Sequence, residues 1–191
     1  IAARIRQFEA SNSNTYIMGY EESYGCLIGT HARDKDGLIA VMMLCEIAAY
    51  YKNRGLTLWD VIQKMYEKYG YYKEDQISVV LEGADGAVKI QEMMKNMRNN
   101  PPEKLGKYKV LKIMDCSSGI EKDIMTGEET KIDLPKSNVL RYTLENDCWC
   151  AVRPSGTEPK IKFYMGVRGD SLEGAEKDLK DLIEAMREYT K

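Results

Sequence analysis

The chain has 191 residues, of which 28 are Lys or Arg, 30 are Asp or Glu, and 43% are apolar. This length is enough for one large or two small domains, and the apolar content can support a packed core. The nearly balanced charge gives no support for a general nucleic-acid or membrane-surface binder, so we expect neither partner. The longest apolar run, 38–45, is far shorter than the ~20 residues of a membrane span and indicates a buried helix.

The cysteines favour a reduced interior. Five are present, an odd number, and no C-x-x-C spacing occurs. A disulfide framework and a zinc site are therefore both disfavoured, and we expect cytoplasmic core thiols. The chain begins at Ile1 in what reads as the middle of a helix, so we expect a fragment of a longer protein.

The first part of the chain predicts helices around one short strand. Residues 4–10 read as the end of a helix, and residues 15–18 have strand propensity. Residues 37–52 are apolar on almost every face, as in a helix buried inside a larger domain. A helix over 57–69 starts with a capping-box-like pattern and ends at Gly70.

A polar aromatic segment, 71–75, predicts a link between two domains, 1–72 and 73–191. Helices are predicted beyond it over 84–98 and 171–189. Strands are predicted over 77–81, 107–115, 138–145, 148–152 and 161–167, with a hairpin around Thr126 and Gly127. This alternation indicates an α+β domain in which helices flank an antiparallel sheet.

The segment Arg153-Pro-Ser-Gly-Thr-Glu-Pro-Lys160 joins two predicted strands and has the composition of a phosphate-binding loop. Arg153 offers a planar guanidinium that fits phosphate oxygens bidentately. Ser155 and Thr157 can donate O–H bonds, and Lys160 supplies an ammonium group. Gly156 either lets backbone N–H groups approach the anion or takes a positive φ. The alternative is an ordinary turn, because Pro, Ser and Gly are common turn residues.

The segment Gly19-Tyr-Glu-Glu-Ser-Tyr-Gly25 suits a ligand with many hydroxyl groups. The carboxylate of Glu21 can accept two vicinal hydroxyl hydrogens, and Ser23 adds a hydroxyl. The alternative is a surface turn capped by a glutamate.

The segment His31-Ala-Arg-Asp-Lys-Asp-Gly37 precedes the long apolar helix. Its two aspartates can cap that helix and favour its dipole. Arg33 and Lys35 oppose the dipole, so their presence indicates an anion between them. His31, the only histidine, has no serine or cysteine at an evident triad spacing, and no aspartate cluster indicates a metal. We therefore expect neither a catalytic nucleophile nor a metal site in these residues.

Together and in this order, the three segments resemble the C-terminal part of the α-D-phosphohexomutases, and among them the phosphoglucomutases. The resemblance implies that 1–72 is the end of an α/β third domain and that 73–191 is an α+β fourth domain similar to the TATA-binding protein. The Glu-Glu-Ser form at 21–23 resembles phosphoglucomutases more than the Glu-Met-Ser form of phosphomannomutases and phosphoglucosamine mutases.

The resemblance also implies roles and partners. A phosphorylated hexose would be held by a sugar group and a phosphate group of residues. The sugar group is Glu21, Ser23, His31, Arg33 and Lys35, and the phosphate group is Arg153, Ser155, Gly156, Thr157 and Lys160. The whole enzyme would interconvert glucose 1-phosphate and glucose 6-phosphate through glucose 1,6-bisphosphate. Its phosphoserine and Mg²⁺ ligands would lie in missing N-terminal domains, so the fragment alone would be inactive. The alternatives are another sugar, mannose or glucosamine phosphate, and a binding module without catalysis.

Overall fold

The computed structural model describes residues 1–21, 24–81 and 85–190. It divides into two compact units, Ile1–Met65 and Tyr66–Lys191, which are described separately below. Among the helices of the described residues, none combines the length and apolar character needed to cross a bilayer.

The first unit contains helices and one small hairpin. Its elements are α1 (Ala2–Ser11), β1 (Met18–Tyr20), β2 (Cys26–Ile28), α2 (Gly37–Lys52) and most of α3 (Leu58–Tyr69). β1 and β2 pair antiparallel, with Met18 opposite Ile28 and Tyr20 opposite Cys26. Glu21 directly follows β1, and Gly25 directly precedes β2.

Helix α2 forms over the predicted residues, and Asp36 caps it. One Asp36 carboxylate oxygen accepts hydrogen bonds from the backbone N–H groups of Leu38 and Ile39, at 2.9 and 3.2 Å. The prediction that this helix is buried is wrong for this chain, because no residue of α2 is buried and Leu38 is 84% exposed. The described residues of the first unit do not cover its apolar faces.

Helix α3 begins and ends where the sequence predicts. The Thr57 N–H donates to Asp60 Oδ2 at 2.7 Å, and the Asp60 N–H donates to Thr57 Oγ1 at 3.2 Å. This reciprocal pair satisfies N–H groups that a helix start leaves free. At the other end, Gly70 has φ +104° and donates its N–H to Tyr66 at 2.8 Å.

The second unit is a mixed domain built on an antiparallel sheet. Its strands are β3 (Tyr71–Val80), β4 (Lys104–Leu105), β5 (Tyr108–Asp115), β6 (Ile120–Asp123), β7 (Glu129–Lys131), β8 (Leu140–Leu144), β9 (Trp149–Pro154) and β10 (Lys160–Gly169). Its helices are α4 (Gly86–Asn99) and α5 (Leu172–Arg187). The strand order is β3-β10-β9-β8-β5-β6-β7, with β4 on β5, and every pair is antiparallel. The predicted α+β class is confirmed.

The prediction of a link over 71–75 is wrong, since these residues form the first half of β3. Tyr71 lies opposite Gly169 and Asp75 opposite Met165 on β10. β3 is an edge strand of the sheet, and charged side chains are common there because they discourage further pairing. That charge gives 71–75 the composition of a loop. The boundary predicted after residue 72 falls inside this strand, and the assignment to third and fourth domains stays a prediction.

Both helices pack on one face of the sheet. Ile90, Met94 and Met97 of α4 and Ala175, Leu182 and Met186 of α5 are buried there, against Val152, Ile161, Phe163 and Met165. Side chains alternate between faces along a strand, so the residues between these point to the opposite face. Arg153 and Lys162 lie on that opposite face, away from α4 and α5.

A tight turn connects β8 to β9. The Cys148 N–H donates to the Glu145 carbonyl at 3.2 Å, closing a four-residue turn. The two central residues, Asn146 and Asp147, both have φ +58°. Two consecutive positive φ values are typical of the type I′ turn, whose twist matches that of the flanking strands.

Candidate functional site

The predicted phosphate loop is a turn between β9 and β10. β9 ends at Pro154 and β10 begins at Lys160. The Ser155 N–H donates to the Lys160 carbonyl at 2.7 Å, and the Lys160 N–H donates to the Glu158 carbonyl at 2.8 Å. These bonds close the loop at its base and leave residues 156 and 157 at its exposed tip.

The Ser155 hydroxyl organises the loop. Its oxygen lies 3.4 Å from the Thr157 N and 3.3 Å from the Glu158 N, both of which donate towards it. A hydroxyl that accepts from backbone N–H groups still has its own hydrogen to donate. Ser155 can therefore shape the turn and bind an anion at the same time.

Gly156 is exposed, and its φ does not lie in the positive region. Of the two roles expected for this glycine, only close approach of a ligand fits. A Cβ added here would have nothing within 4 Å. Within the described part of the chain, the Gly156 N–H has no hydrogen-bond acceptor, so it is available to an anion.

β9 and β10 each contribute a cation to the same face of the sheet. Arg153 on β9 and Lys162 on β10 are directly opposite each other in the sheet register. Neither forms an ion pair within the described residues, whereas Lys160 lies 3.9 Å from Glu158. Lys162 was not predicted from the sequence, although it lies two residues after Lys160 in a predicted strand and therefore on the same face.

These groups share one groove of about 470 Å³. It is lined by Arg153, Pro154, Ser155, Gly156, Thr157, Glu158, Lys160, Lys162 and Tyr164. The structure thus brings the whole predicted phosphate group together: guanidinium, ammonium groups, hydroxyls and a free backbone N–H. Such a set of donors is suited to a phosphate monoester.

The loop is attached to the rest of its unit through the end of β3. The Leu81 N–H donates to the Pro159 carbonyl at 3.0 Å. The Leu81 carbonyl in turn lies against Gly86, where a Cβ would collide with it. Gly86 begins α4, so the loop is positioned by a strand and a helix start as well as by its own turn.

In the first unit, Glu21 and Lys35 are in contact. The Lys35 Nζ lies 3.6 Å from Glu21 Oε2 and 3.3 Å from Asp34 Oδ1. The hydrogen bond and charge of Asp34, followed by the charge of Glu21, raise the pKa of Lys35. The Glu21 N–H donates to the Gly25 carbonyl at 2.8 Å, which closes the connection between β1 and β2. Ser23 lies outside the described residues.

The other two members of the sugar group bind their own carboxylates. His31 Nε2 lies 3.0 Å from Asp36 Oδ2, and the pKa of Asp36 is lowered chiefly by this hydrogen bond. Arg33 donates to Glu9 Oε1 at 2.8 Å. An external anion between Arg33 and Lys35 is therefore not required, because the protein supplies a carboxylate to each. The sequence pattern around residue 33 could not show the contact with α1.

Comparison with known proteins gives matches in both parts of the chain. The family model described as phosphoglucomutase/phosphomannomutase, alpha/beta/alpha domain III, matches residues 3–69. A phosphoglucomutase of Staphylococcus epidermidis is 36% identical over 183 residues, which cover 96% of this chain and 33% of the relative. A phosphoglucomutase of Staphylococcus aureus strain MRSA252 is 37% identical over 168 residues, 88% of this chain and 30% of the relative.

The chain thus spans about a third of the length of the curated relatives that it matches. The aligned region runs through almost the whole chain and so includes the second unit as well as the first. On this evidence the chain belongs to the phosphoglucomutase/phosphomannomutase family, and its residues 3–69 match domain III of that family.

Proposed function

We propose that this chain is the C-terminal sugar- and phosphate-binding portion of a phosphoglucomutase. The parent enzyme interconverts glucose 1-phosphate and glucose 6-phosphate through a bisphosphorylated hexose. The observation that carries the proposal is the position of Arg153 and Lys162, opposite each other on neighbouring strands and beside the available N–H of Gly156. The relatives named phosphoglucomutase support this choice of sugar over mannose or glucosamine phosphate.

The task of the groove is to hold the phosphate that is not reacting. A bidentate guanidinium and a second cation hold a dianion at a fixed place, and Ser155 and Gly156 add directional hydrogen bonds. None of these groups needs to break a bond. Fixing the substrate in this way contributes to catalysis by orienting the reacting oxygen.

The task of the first unit is to bind the sugar hydroxyls. Glu21 accepts hydroxyl hydrogens through its carboxylate, and Lys35 beside it donates to a sugar oxygen or to phosphate. Their present contact is a loose one at 3.6 Å and is half exposed, so a ligand can replace it at small cost. Ser23, His31 and Arg33 complete the group in this proposal.

The phosphoserine and the magnesium ion of the reaction belong to segments outside this chain. Within the described ranges, no three His, Cys, Asp or Glu side chains cluster as a metal site requires. We therefore assign no step through a metal to these residues. The exposed apolar faces of α2 also support the proposal that the parent protein has further segments, because such faces suit a helix that other parts of its domain cover.

The test combines binding and activity. In an NMR titration of this chain, glucose 6-phosphate should first shift the amides of 155–157, with a dissociation constant on the order of millimolar, about −4 kcal/mol. The purified chain should show no mutase activity, whereas the full-length parent should act on glucose 1-phosphate faster than on mannose 1-phosphate. Absence of shifts in the loop at high ligand concentration, or mutase activity in the chain alone, would contradict the proposal.

A further inference from the structure

We propose that Tyr164 is a sugar-contacting specificity residue, bound to the hexose next to the phosphate held by Arg153 and Lys162. This inference rests on the proposed function and adds to it a sugar contact within the second unit. The sugar group predicted from the sequence lies entirely in the first unit.

The position of Tyr164 follows from strand geometry. It is two residues beyond Lys162 on β10, so it lies on the same face about 7 Å further along the strand. It lines the same groove as Arg153 and Lys162. A phosphate between those two cations therefore has Tyr164 beside it, because Tyr164 is the next residue of β10 on the same face.

Within the described residues, the hydroxyl of Tyr164 is not engaged by the fold. The strand neighbours of Tyr164 in register are Ala151 on β9 and Gln76 on β3, and Ala151 is too small to cover an aromatic ring from its side. Its hydroxyl has no hydrogen-bond partner within the described part of the chain, and it is only half-buried. A phenol in such a position has both a ring face and a polar group available to a ligand.

The neighbouring outward aromatic residue makes a useful contrast. Trp149 lies opposite Gly166, and its indole occupies the space where a Cβ of Gly166 would be. Because Gly166 has no side chain, the indole ring packs directly on the sheet. Neither strand neighbour of Tyr164 is a glycine, and Tyr164 borders the open groove instead.

The size of the groove is in agreement with a second ligand group. Its volume of about 470 Å³ falls within the range of small-molecule sites, roughly 300–1,000 Å³, and exceeds what a phosphate alone needs. A pyranose presents C–H groups to an aromatic face and hydroxyls to a phenol. Tyr164 offers both surfaces in the same groove, beside the residues that hold the phosphate.

The experiment separates the sugar contact from the phosphate contact. Inorganic phosphate, glucose and glucose 6-phosphate are titrated into this chain by NMR, for the unaltered chain and for Tyr164→Ala, Tyr164→Phe and the control Tyr72→Phe. Tyr72 is exposed on β3 and does not line the groove. Amide spectra of each variant establish whether the fold is kept.

Tyr164→Ala should weaken glucose 6-phosphate binding about tenfold, equivalent to ~1.4 kcal/mol, while phosphate affinity stays within about twofold. Tyr164→Phe should lose about threefold, as expected for one neutral hydrogen bond. The Tyr72→Phe control should bind both ligands as the unaltered chain does.

Equal losses for phosphate and glucose 6-phosphate, or no loss at all, would overturn the assignment of Tyr164. So would an unaltered chain that binds glucose 6-phosphate no more tightly than phosphate, although the phosphate site itself would then stand. If neither ligand binds the loop, the proposed function fails and this inference fails with it.

Discussion

Arg153 and Lys162 are directly opposite each other on neighbouring strands, on the same face of the sheet, and neither has an ion-pair partner within the described residues. Like charges in this relation destabilise a sheet by roughly 0.2–1 kcal/mol. The unliganded site therefore carries a small electrostatic cost, which a bound dianion reverses. Removing either cation should therefore stabilise the unliganded chain and weaken the binding of the anion.

Lys162→Gln should make the unliganded chain more stable and phosphate binding weaker. Removing one of two facing cations relieves up to about 1 kcal/mol of repulsion, while the anion loses a charged partner. Chemical denaturation without phosphate gives the first quantity, and phosphate titration gives the second. Lys122→Gln, an exposed change on β6 outside the groove, serves as the control. Loss of stability together with unchanged phosphate affinity would contradict the assigned role.

Arg153→Lys should weaken binding although the charge is kept. The guanidinium fork makes two charge-assisted hydrogen bonds with a phosphate, each worth ~1.5–3 kcal/mol, and an ammonium cannot reproduce that planar geometry. In the full-length parent we expect a higher KM for the phosphohexose. Unchanged KM and kcat would show that Arg153 is not the main anion contact.

Gly156, in the loop between β9 and β10, and Gly166, within β10, should respond in different ways to alanine. Gly156→Ala should leave the melting temperature nearly unchanged, because a Cβ there meets nothing within 4 Å, yet weaken phosphate binding by obstructing the backbone N–H. Gly166→Ala should lower stability by about 1–3 kcal/mol, because the new Cβ collides with the Trp149 indole. Thermal melts with and without phosphate distinguish the two effects. A destabilised Gly156→Ala would mean that its role is structural.

Asp115 should make the second unit sensitive to acid. Burial raises the pKa of its carboxyl, but hydrogen bonds from Arg98 and Ser117 outweigh burial and leave the pKa below its ordinary value. The folded state therefore gains stability above the ordinary aspartate pKa of about 4 and loses it as the pH falls further. Asp115→Asn should cost about 2 kcal/mol at pH 7 and progressively less below pH ~4. Denaturation curves at several pH values measure this cost, with the exposed Asp133→Asn as the control. A cost that does not change with pH would exclude linkage through the Asp115 carboxyl.

Glu21→Gln should reduce turnover in the full-length parent without lowering its melting temperature. Its contact with Lys35 is exposed, and surface ion pairs contribute little to stability. A carboxylate that orients sugar hydroxyls acts in the transition state, where misplacement of the reacting oxygen is costly. Kinetics and thermal melts are compared with Glu129→Gln on the edge strand β7. A normal rate would remove Glu21 from the site.

Most elements of the second unit could be predicted from the sequence, because alternation and helical spacing are local signals. The phosphate loop was equally local, since its groups lie within eight residues from Arg153 to Lys160. Lys162 was missed although it is close in sequence. Its importance depends on which residue of β9 stands opposite, and composition does not give that register.

Other errors have a different physical origin. The contact between Arg33 and Glu9 joins residues 24 positions apart, so the local charge pattern gave no reason to expect it. The exposure of α2 depends on what else is present to cover it, which an apolar sequence does not state. The charged half of β3 has the composition of a loop because it is an edge strand.

The type I′ turn at Asn146 and Asp147 constrains how the chain can vary. Because the turn sets where β9 begins, the number of residues from Trp149 to Arg153 decides on which face the guanidinium emerges. A single inserted or deleted residue in that interval would exchange Val152 and Arg153, placing a cation in the core and a valine in the groove. Length variation beyond Pro154, in the exposed tip, would leave this alternation intact, but within β9 it has to come in steps of two residues.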